Sequence, residues 1–328
     1  MDFQVPPRVQ LGIYPTPLVP TPRLSEAFGG PTIYIKRDDL TGVTLTGNKI
    51  RKIEFLLAEA QAQKAEMVIT CGGVQSNHAR TTAIAARQLG MKAHLVLRNN
   101  GGKALDGNLF LDRMVGAEIT FVSHEEYERV DAIMEDIAGK YAAEGIKAYV
   151  VPEGGSNGLG AMGYVMAMQE LATQIRESKK KFDAVVLAVG SGGTQAGLVI
   201  GRALYDVPVD IIGINICDNA EFFQQRIREI VHEARRRFSL PEQLESEPIQ
   251  IIDGYVGKGY GLSRQEEIVT IKQVAELEGI ILDPVYTGKA MYGLKDLIAQ
   301  GHFKQGQNII FLHTGGIFGL FPKRNLFF

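Results

Sequence analysis

The sequence has little of what marks secreted, membrane or nucleic-acid-binding proteins. It contains two cysteines, Cys71 and Cys217, which are too few for a disulfide framework and fit a reducing compartment. No run approaches the roughly 18 apolar residues of a membrane span, and residues 1–7 lack the pattern of a signal peptide. The net charge of −2 offers no basic surface for nucleic acid. We therefore expect a cytoplasmic protein that binds neither nucleic acid nor membranes, and no metal site is indicated.

Glycine, in contrast, is abundant, with 37 residues in a chain of 328, against an average share of about 7%. Four apolar runs each end in a glycine pair, in the segments TCGG, PEGG, GSGG and HTGG. Ligands of open α/β sheets bind beyond the carboxyl ends of the strands, where glycine lets backbone N–H groups approach an anion. Four such strand ends predict one binding site.

Strands and helices alternate along most of the chain, which predicts an α/β fold with open parallel sheets flanked by helices. Strands are predicted at 67–70, 94–97, 118–122, 148–152, 184–189, 210–216 and 308–313, and helices at 77–90, 108–115 and 125–144. The length of 328 residues suggests two lobes. We expect a larger domain from residues 1–52 and 158–328, with residues 53–157 inserted as a smaller α/β domain.

The segment GSGGTQAG, residues 190–197, joins a predicted strand to a predicted helix. Successive N–H groups at a helix N-terminus, together with hydroxyl side chains, form a phosphate-binding cup. It is not a dinucleotide fingerprint, because Gln195 stands where the third glycine is required. The predicted phosphate ligands are Ser191, Gly192, Gly193 and Thr194.

The segment GNKIRK places Lys49 and Lys52 on one side of the start of an amphipathic helix. Residues 42–49 nearly match the P-loop (Walker A motif) of nucleotide-binding proteins. However, Asn48 separates the glycine from the lysine, and Ile50 stands where the motif requires Ser or Thr. Helix N-termini disfavour cations, so two lysines here indicate an anionic partner or a lysine kept partly neutral for chemistry. The alternative is an exposed basic face.

Two further segments carry candidate ligands. GGVQSNHAR has four consecutive polar residues, of which one caps a helix and the rest are suited to hold a carboxylate. DPVYTGKA contains Tyr286, whose ring either stacks on a flat ligand or packs in the core. The same two alternatives apply to Tyr260 of the glycine-rich loop 254–261. The four consecutive polar residues are Gln75, Ser76, Asn77 and His78.

Together the segments GNKIRKIEFL, GGVQSNHAR, GSGGTQAG and DPVYTGKA resemble, in their order, the fold type II pyridoxal-phosphate (PLP) enzymes. The similarity covers nearly the whole chain and is to the branch of D-cysteine desulfhydrases and 1-aminocyclopropane-1-carboxylate (ACC) deaminases. It implies a two-domain fold like that of the tryptophan synthase β-subunit, PLP as the cofactor, a small amino acid as the substrate and a homodimer.

The resemblance also implies residue roles. Lys49 would carry PLP covalently, and Lys52 would help to bind its phosphate beside the GSGGTQAG loop. Asn77 would hydrogen-bond the ring O3′, and Tyr286 would stack on the pyridine. Ser76 and its neighbours Gln75, Asn77 and His78 would receive the substrate carboxylate.

One departure from the family pattern bears on the reaction. ACC deaminases carry a glutamate directly after the tyrosine of the DPVY segment, where it contacts the pyridine nitrogen; this chain has Thr287, and Thr314 offers a second hydroxyl. A neutral partner makes PLP a weaker electron sink, which suits β-elimination from a substrate with a labile Cα proton. The sequence therefore looks more like a D-cysteine desulfhydrase.

In that reaction the Lys49 amine takes the Cα proton, sulfide leaves, and pyruvate and ammonia are the final products. Tyr260 or Ser76 would protonate the leaving sulfur. The alternatives are an L-cysteate sulfo-lyase, an ACC deaminase that forms 2-oxobutanoate and ammonia, and a non-catalytic PLP-binding or amino-acid-binding protein.

Overall fold

A computed structural model describes residues 4–99 and 105–328. Within these ranges the strands are β1 (Leu18–Pro20), β2 (Thr32–Lys36), β3 (Met67–Gly73), β4 (Lys92–Arg98), β5 (Glu118–Val122), β6 (Ala148–Val150), β7 (Ala184–Val189), β8 (Asp210–Asn215), β9 (Gln250–Ile252) and β10 (Asn308–Leu312). The α-helices are α1 (Pro22–Phe28), α2 (Lys49–Ala62), α3 (Asn77–Gln88), α4 (Gly107–Met114), α5 (His124–Tyr127), α6 (Val130–Ala143), α7 (Gly158–Ser178), α8 (Gly193–Leu204), α9 (Ala220–Phe238), α10 (Gln265–Glu278) and α11 (Thr287–Ala299). None of these helices combines the length and apolarity needed to cross a membrane.

The strands form two sheets, and the predicted α/β architecture is confirmed. The larger sheet has the order β1-β2-β10-β7-β8-β9, in which β1 pairs antiparallel with β2 and the other pairs are parallel. The smaller sheet has the order β5-β4-β3-β6 and is parallel throughout. Because all neighbouring strands except β1 and β2 are parallel, their carboxyl ends gather at one edge of each sheet.

The four strands of the smaller sheet all come from residues 67–150, which lie inside the predicted inserted segment 53–157. The predicted boundary between residues 52 and 53 falls within α2, which is continuous from Lys49 to Ala62. The division into two domains at 52/53 and 157/158 stays a prediction.

The buried strands were the easiest elements to predict. All six residues of β7 are buried, as the unbroken apolar run AVVLAV requires of a central parallel strand. The single helix predicted over 125–144 is wrong, because two helices, α5 and α6, occupy it. Ser123 starts α5 with a capping box to Glu126, and Arg129 leaves the helical region at φ −112° and ψ 27° before α6 begins.

Helix α2 differs from the amphipathic helix predicted for it, because three of its charged residues, Arg51, Lys52 and Glu54, are buried as well as its apolar ones. The Arg51 guanidinium pairs with Asp38 at 2.8 Å and with Glu170 at 3.0 Å. The Glu54 carboxylate accepts backbone N–H bonds from Leu11 and Gly12 at 2.8 and 2.7 Å. Buried charges are tolerated when they are paired in this way, so α2 lies inside the protein on nearly all sides.

Candidate active site

A cavity of about 310 Å³ opens beyond the carboxyl ends of strands from both sheets. Glycines from all four strand-end pairs line it, so these strand ends meet at a single cavity. The size of the cavity suits a small molecule. The lining glycines are Gly72 and Gly73 at the end of β3, Gly154 after β6, Gly190 and Gly192 after β7, and Gly315 after β10.

The start of α8 and the loop before it form one wall of the cavity. Among the described residues no side chain caps this helix, so its first N–H groups are available to a ligand. Ser191, Gly192 and Thr194 line the cavity, whereas Gly193 lies buried against Ser156. A Cβ on Gly193 would come within 2.6 Å of the Ser156 hydroxyl, so glycine is required for this close packing.

Lys49 lines the cavity and is the first residue of α2. Lys52 is fully buried one turn further on, behind the cavity wall, and its Nζ donates to Ser156 Oγ at 3.0 Å. The alternative of an exposed basic face is therefore wrong. Burial lowers the pKa of Lys49 to about 8, and burial together with the Lys49 charge holds the pKa of Lys52 well below its usual range.

The loop before α3 places Ser76, Asn77 and His78 in the cavity wall. Ser76 caps α3, and its Oγ accepts the N–H of Ala79 at 3.1 Å. The His78 Nε2 lies 2.7 Å from the hydroxyl of Thr70, and burial keeps the pKa of His78 well below its usual value, so its ring is neutral.

Gln75 is not among the residues that line the cavity. Its amide nitrogen donates to the carbonyl of Asp106 at 3.0 Å, and its amide oxygen accepts the N–H of Asn108 at 2.9 Å. Asn108 in turn donates to the side-chain oxygen of Asn77 at 3.0 Å. Gln75 therefore ties the loop to the start of α4 and does not face a ligand in the cavity.

Tyr260 and Tyr286 both line the cavity, so Tyr286 is a wall residue and not simply a core residue. Their hydroxyls hydrogen-bond each other, and their ring centroids lie 5.9 Å apart at an interplanar angle of 75°. Burial raises the pKa of Tyr260 to about 12, so its hydroxyl stays protonated and can donate.

Of the two threonines considered for the pyridine nitrogen, Thr314 lines the cavity and Thr287 does not. Thr287 is fully buried; its Oγ1 donates to a carboxylate oxygen of Asp283 and accepts the backbone N–H of Asp283, both at 2.8 Å. The same carboxylate accepts the N–H groups of Val285, Tyr286 and Thr287. Asp283 thus caps α11 and holds the Thr287 hydroxyl away from the cavity.

Sequence reasoning missed several residues of the site. Asn48 donates to the Thr194 hydroxyl at 3.0 Å, and its position next to Lys49 was a usable signal. Ser156 follows the PEGG glycine pair, as Ser191 follows Gly190, and its hydroxyl lies 2.9 Å from that of Ser191. Arg98, Tyr127 and Glu153 also line the cavity. Glu153 belongs to the PEGG segment, whereas no sequence motif marked Arg98 or Tyr127.

Comparisons with known proteins agree with this geometry. The family model described as "Pyridoxal-phosphate dependent enzyme" matches residues 9–315. A Thermotoga maritima protein provisionally named 1-aminocyclopropane-1-carboxylate deaminase is 45% identical over 96% of this chain and 98% of its own length. A mitochondrial bifunctional D-cysteine desulfhydrase/1-aminocyclopropane-1-carboxylate deaminase of Arabidopsis thaliana is 41% identical over 90% of this chain and 74% of its own length. The crystal structure of an ACC deaminase homologue superposes with a TM-score of 0.89 at 41% identity, covering 98% of this chain and 95% of that one.

Proposed function

The chain belongs to the pyridoxal-phosphate dependent enzymes, and from that premise we propose that it is a β-elimination lyase acting on D-cysteine or a related β-substituted amino acid. Its products would be pyruvate, ammonia and hydrogen sulfide. The observation that carries the proposal is that Lys49, with its lowered pKa, lines the same cavity as the uncapped N-terminus of α8.

The residues of the cavity fit PLP. The free N–H groups of α8, the hydroxyls of Ser191 and Thr194 and the nearby Lys52 form a donor set suited to a phosphate monoester. A Cβ on Gly190 would stand 3.1 Å from the ring of Tyr286, so glycine leaves room for an aromatic wall. When bound, PLP supplies an electron sink that stabilises the negative charge left when the substrate loses its Cα proton.

The protein's own groups would divide the remaining work. Lys49 would hold the cofactor and then take the Cα proton at its Nζ, a role that suits an amine with a pKa of about 8. Ser76 and Asn77 would bind the substrate carboxylate, and Asn77 would also contact the cofactor O3′. Tyr260, which remains protonated, would donate the proton to the leaving sulfur.

Thr314 supports β-elimination over ACC ring opening. It contributes a neutral hydroxyl to the cavity, whereas the carboxylate of Asp283 is turned to the N–H groups at the start of α11. A neutral partner for the pyridine nitrogen favours substrates with a labile Cα proton and a good leaving group. ACC has no Cα proton, so its turnover is expected to be slow.

The test is a screen for pyruvate release from D-cysteine, L-cysteine, L-cysteate, β-chloro-D-alanine and D-serine, with ACC followed by its 2-oxobutanoate. D-Cysteine and β-chloro-D-alanine should react much faster than ACC, and Lys49→Ala should be inactive. ACC turnover comparable to that of D-cysteine would make the protein an ACC deaminase, and faster cysteate turnover would make it a sulfo-lyase. If the protein binds PLP but turns over none of these substrates, the remaining interpretation is a non-catalytic PLP-binding protein.

We further propose that the enzyme is a cytoplasmic homodimer of two-lobed subunits, with residues 53–157 as the smaller lobe. The position of β3 to β6 in one separate sheet supports the division, and the family resemblance supports the dimer. Light scattering after gel filtration should give twice the mass of a single chain.

A further inference from the structure

We propose that Arg98 is a specificity-determining residue that binds the substrate's β-substituent as an anion, such as a thiolate or a sulfonate. The inference rests on the proposed function and narrows it to a substrate class. Amino acids with an anionic β-substituent would be preferred to those whose β-substituent is neutral.

Arg98 is the last residue of β4 and lies opposite Gly73 in the register of the smaller sheet. Its side chain is partly buried and lines the cavity, next to the glycines that end β3. The backbone there is held by the N–H of Val74, which donates to the Arg98 carbonyl at 3.2 Å. The guanidinium is therefore attached to a rigid strand end and not to a loop.

Two tyrosine rings fix the direction of the guanidinium. Its central carbon lies 4.8 Å from the ring centroid of Tyr127 in α5 and 5.5 Å from that of Tyr260 in the loop 254–261. Aromatic rings attract a guanidinium through their faces and leave its five N–H donors free. Arg98 is thus positioned by contacts that do not use its hydrogen-bonding capacity.

Over residues 4–99 and 105–328, Arg98 has no carboxylate within ion-pair distance and no side-chain hydrogen bond. The two carboxylates that line the cavity, Glu153 and Asp218, are both exposed, and Glu153 accepts the Tyr127 hydroxyl at 2.6 Å. A partly buried cation without a partner is unfavourable, and an anion delivered by the substrate would satisfy it.

The position of Arg98 favours the β-substituent over the α-carboxylate. The loop at Ser76–His78 already supplies polar groups for the carboxylate, whereas Arg98 stacks on Tyr260, the proposed proton donor to the leaving sulfur. A thiolate or sulfonate that contacts Arg98 would lie beside that hydroxyl. The chloro substituent of β-chloro-D-alanine carries no charge before it leaves as chloride. The binding of this substrate would therefore gain little from Arg98.

The experiment compares Arg98→Gln and Arg98→Lys with the wild-type holoenzyme. Arg98→Gln should raise KM by about 10- to 100-fold for D-cysteine and for whichever cysteate enantiomer reacts, and should weaken inhibition by sulfite similarly. With β-chloro-D-alanine, kcat/KM should stay within about threefold, and Arg98→Lys should fall between the two proteins. Arg113→Gln is a matched control, because Arg113 stacks on Phe121 and is not a cavity residue.

Equal losses for all substrates would overturn the inference, since they would show that Arg98 binds the α-carboxylate. A loss in kcat for D-cysteine alone, with unchanged sulfite inhibition, would also overturn it, because Arg98 would then only hold Tyr260, the proposed proton donor. Unchanged kinetics and unchanged sulfite inhibition would also overturn it. Failure of the proposed function gives a different result, because the wild-type enzyme would then release no pyruvate from any of these substrates. That result would contradict both the proposed function and the role of Arg98. Selective loss for the anionic substrates supports the inference.

Discussion

The Nζ of Lys52 lies 3.0 Å from the hydroxyl of Ser156, although the two residues are 104 positions apart in the chain. Through Ser156, the start of α2 is joined to Ser191 of the loop before α8, at 2.9 Å. Three distant segments thus meet beneath the proposed phosphate position. The support for the cofactor depends on Ser156, the residue that directly follows the PEGG glycine pair.

Replacing Ser156 with alanine should weaken PLP binding to the apoenzyme by about tenfold, because Lys52 and Ser191 lose their shared partner. Fluorescence titration with PLP would measure the change. Ser178→Ala is the control, since the Ser178 hydroxyl donates to Ile175 within α7 and does not line the cavity. Equal affinity in the wild type and Ser156→Ala would show that Ser156 only fills space.

Covalent attachment of PLP should accelerate as the pH rises through about 8, because the neutral Lys49 amine is the nucleophile. Stopped-flow absorbance from pH 6.5 to 9.5 would follow it. Lys49→Ala should fold, retain weakly bound PLP and lose both attachment and turnover. Borohydride reduction that labelled Lys52 or another lysine would contradict the assignment.

The same shift makes apoenzyme stability depend on pH. The pKa of Lys49 is about 8 in the folded protein, against about 10.5 for a lysine in the unfolded chain, so the unfolded chain binds this proton more tightly. The contribution of Lys49 to the free energy of unfolding should therefore increase from about pH 8 to pH 10.5. Urea titrations of apo wild type and Lys49→Ala should show a larger increase in the wild type, since Lys52, whose pKa burial also lowers, remains in the variant.

Thr287→Glu tests the buried position of that residue. A second carboxylate beside Asp283 would add charge repulsion and desolvation inside the protein, where burial already raises the pKa of Asp283. We expect Thr287→Val to cost about 2 kcal/mol through its lost hydrogen bonds and Thr287→Glu to cost more. Thermal unfolding measures both. A stable Thr287→Glu enzyme with increased ACC turnover would show that residue 287 does reach the cofactor.

Lys289 is expected to hold the loop that carries Tyr260. It is fully buried, and its Nζ donates to the carbonyls of Val256 at 2.6 Å and Leu262 at 2.8 Å, with Glu267 at 3.4 Å. Lys289→Met should lower stability by about 3 kcal/mol, because the carbonyls of Val256 and Leu262 lose a buried donor and Glu267 loses an ionic partner, although it keeps Arg264. Urea unfolding measures the loss. If Lys289→Met unfolds like the wild type, the ion pair contributes nothing.

Local signals predicted the parts of this protein that depend on local chemistry. The apolar run AVVLAV, bounded by glycine, favoured a buried strand, and the glycine pairs marked the strand ends that line the cavity. Thr287 was predicted to contact the cofactor because it follows Tyr286, which does line the cavity. The sequence does not reveal that Asp283, four positions earlier, binds the Thr287 hydroxyl and keeps it out of the cavity. Arg98 reaches the site only through the pairing of β3 with β4, and spacing in one sequence does not reveal that pairing.

The order of the larger sheet has a consequence for synthesis on the ribosome. Strand β10, residues 308–312, lies between β2 and β7 and pairs with both. Until β10 has been synthesised, the facing edges of β2 and β7 have no partner strand. The smaller sheet needs only residues 67–150 and is free to form while the chain is still growing. A nascent chain would therefore hold two partial sheets with unpaired edges, which are sites for pairing with other chains. The edges of β2 and β7 that pair with β10 would stay open to such pairing until β10 emerges.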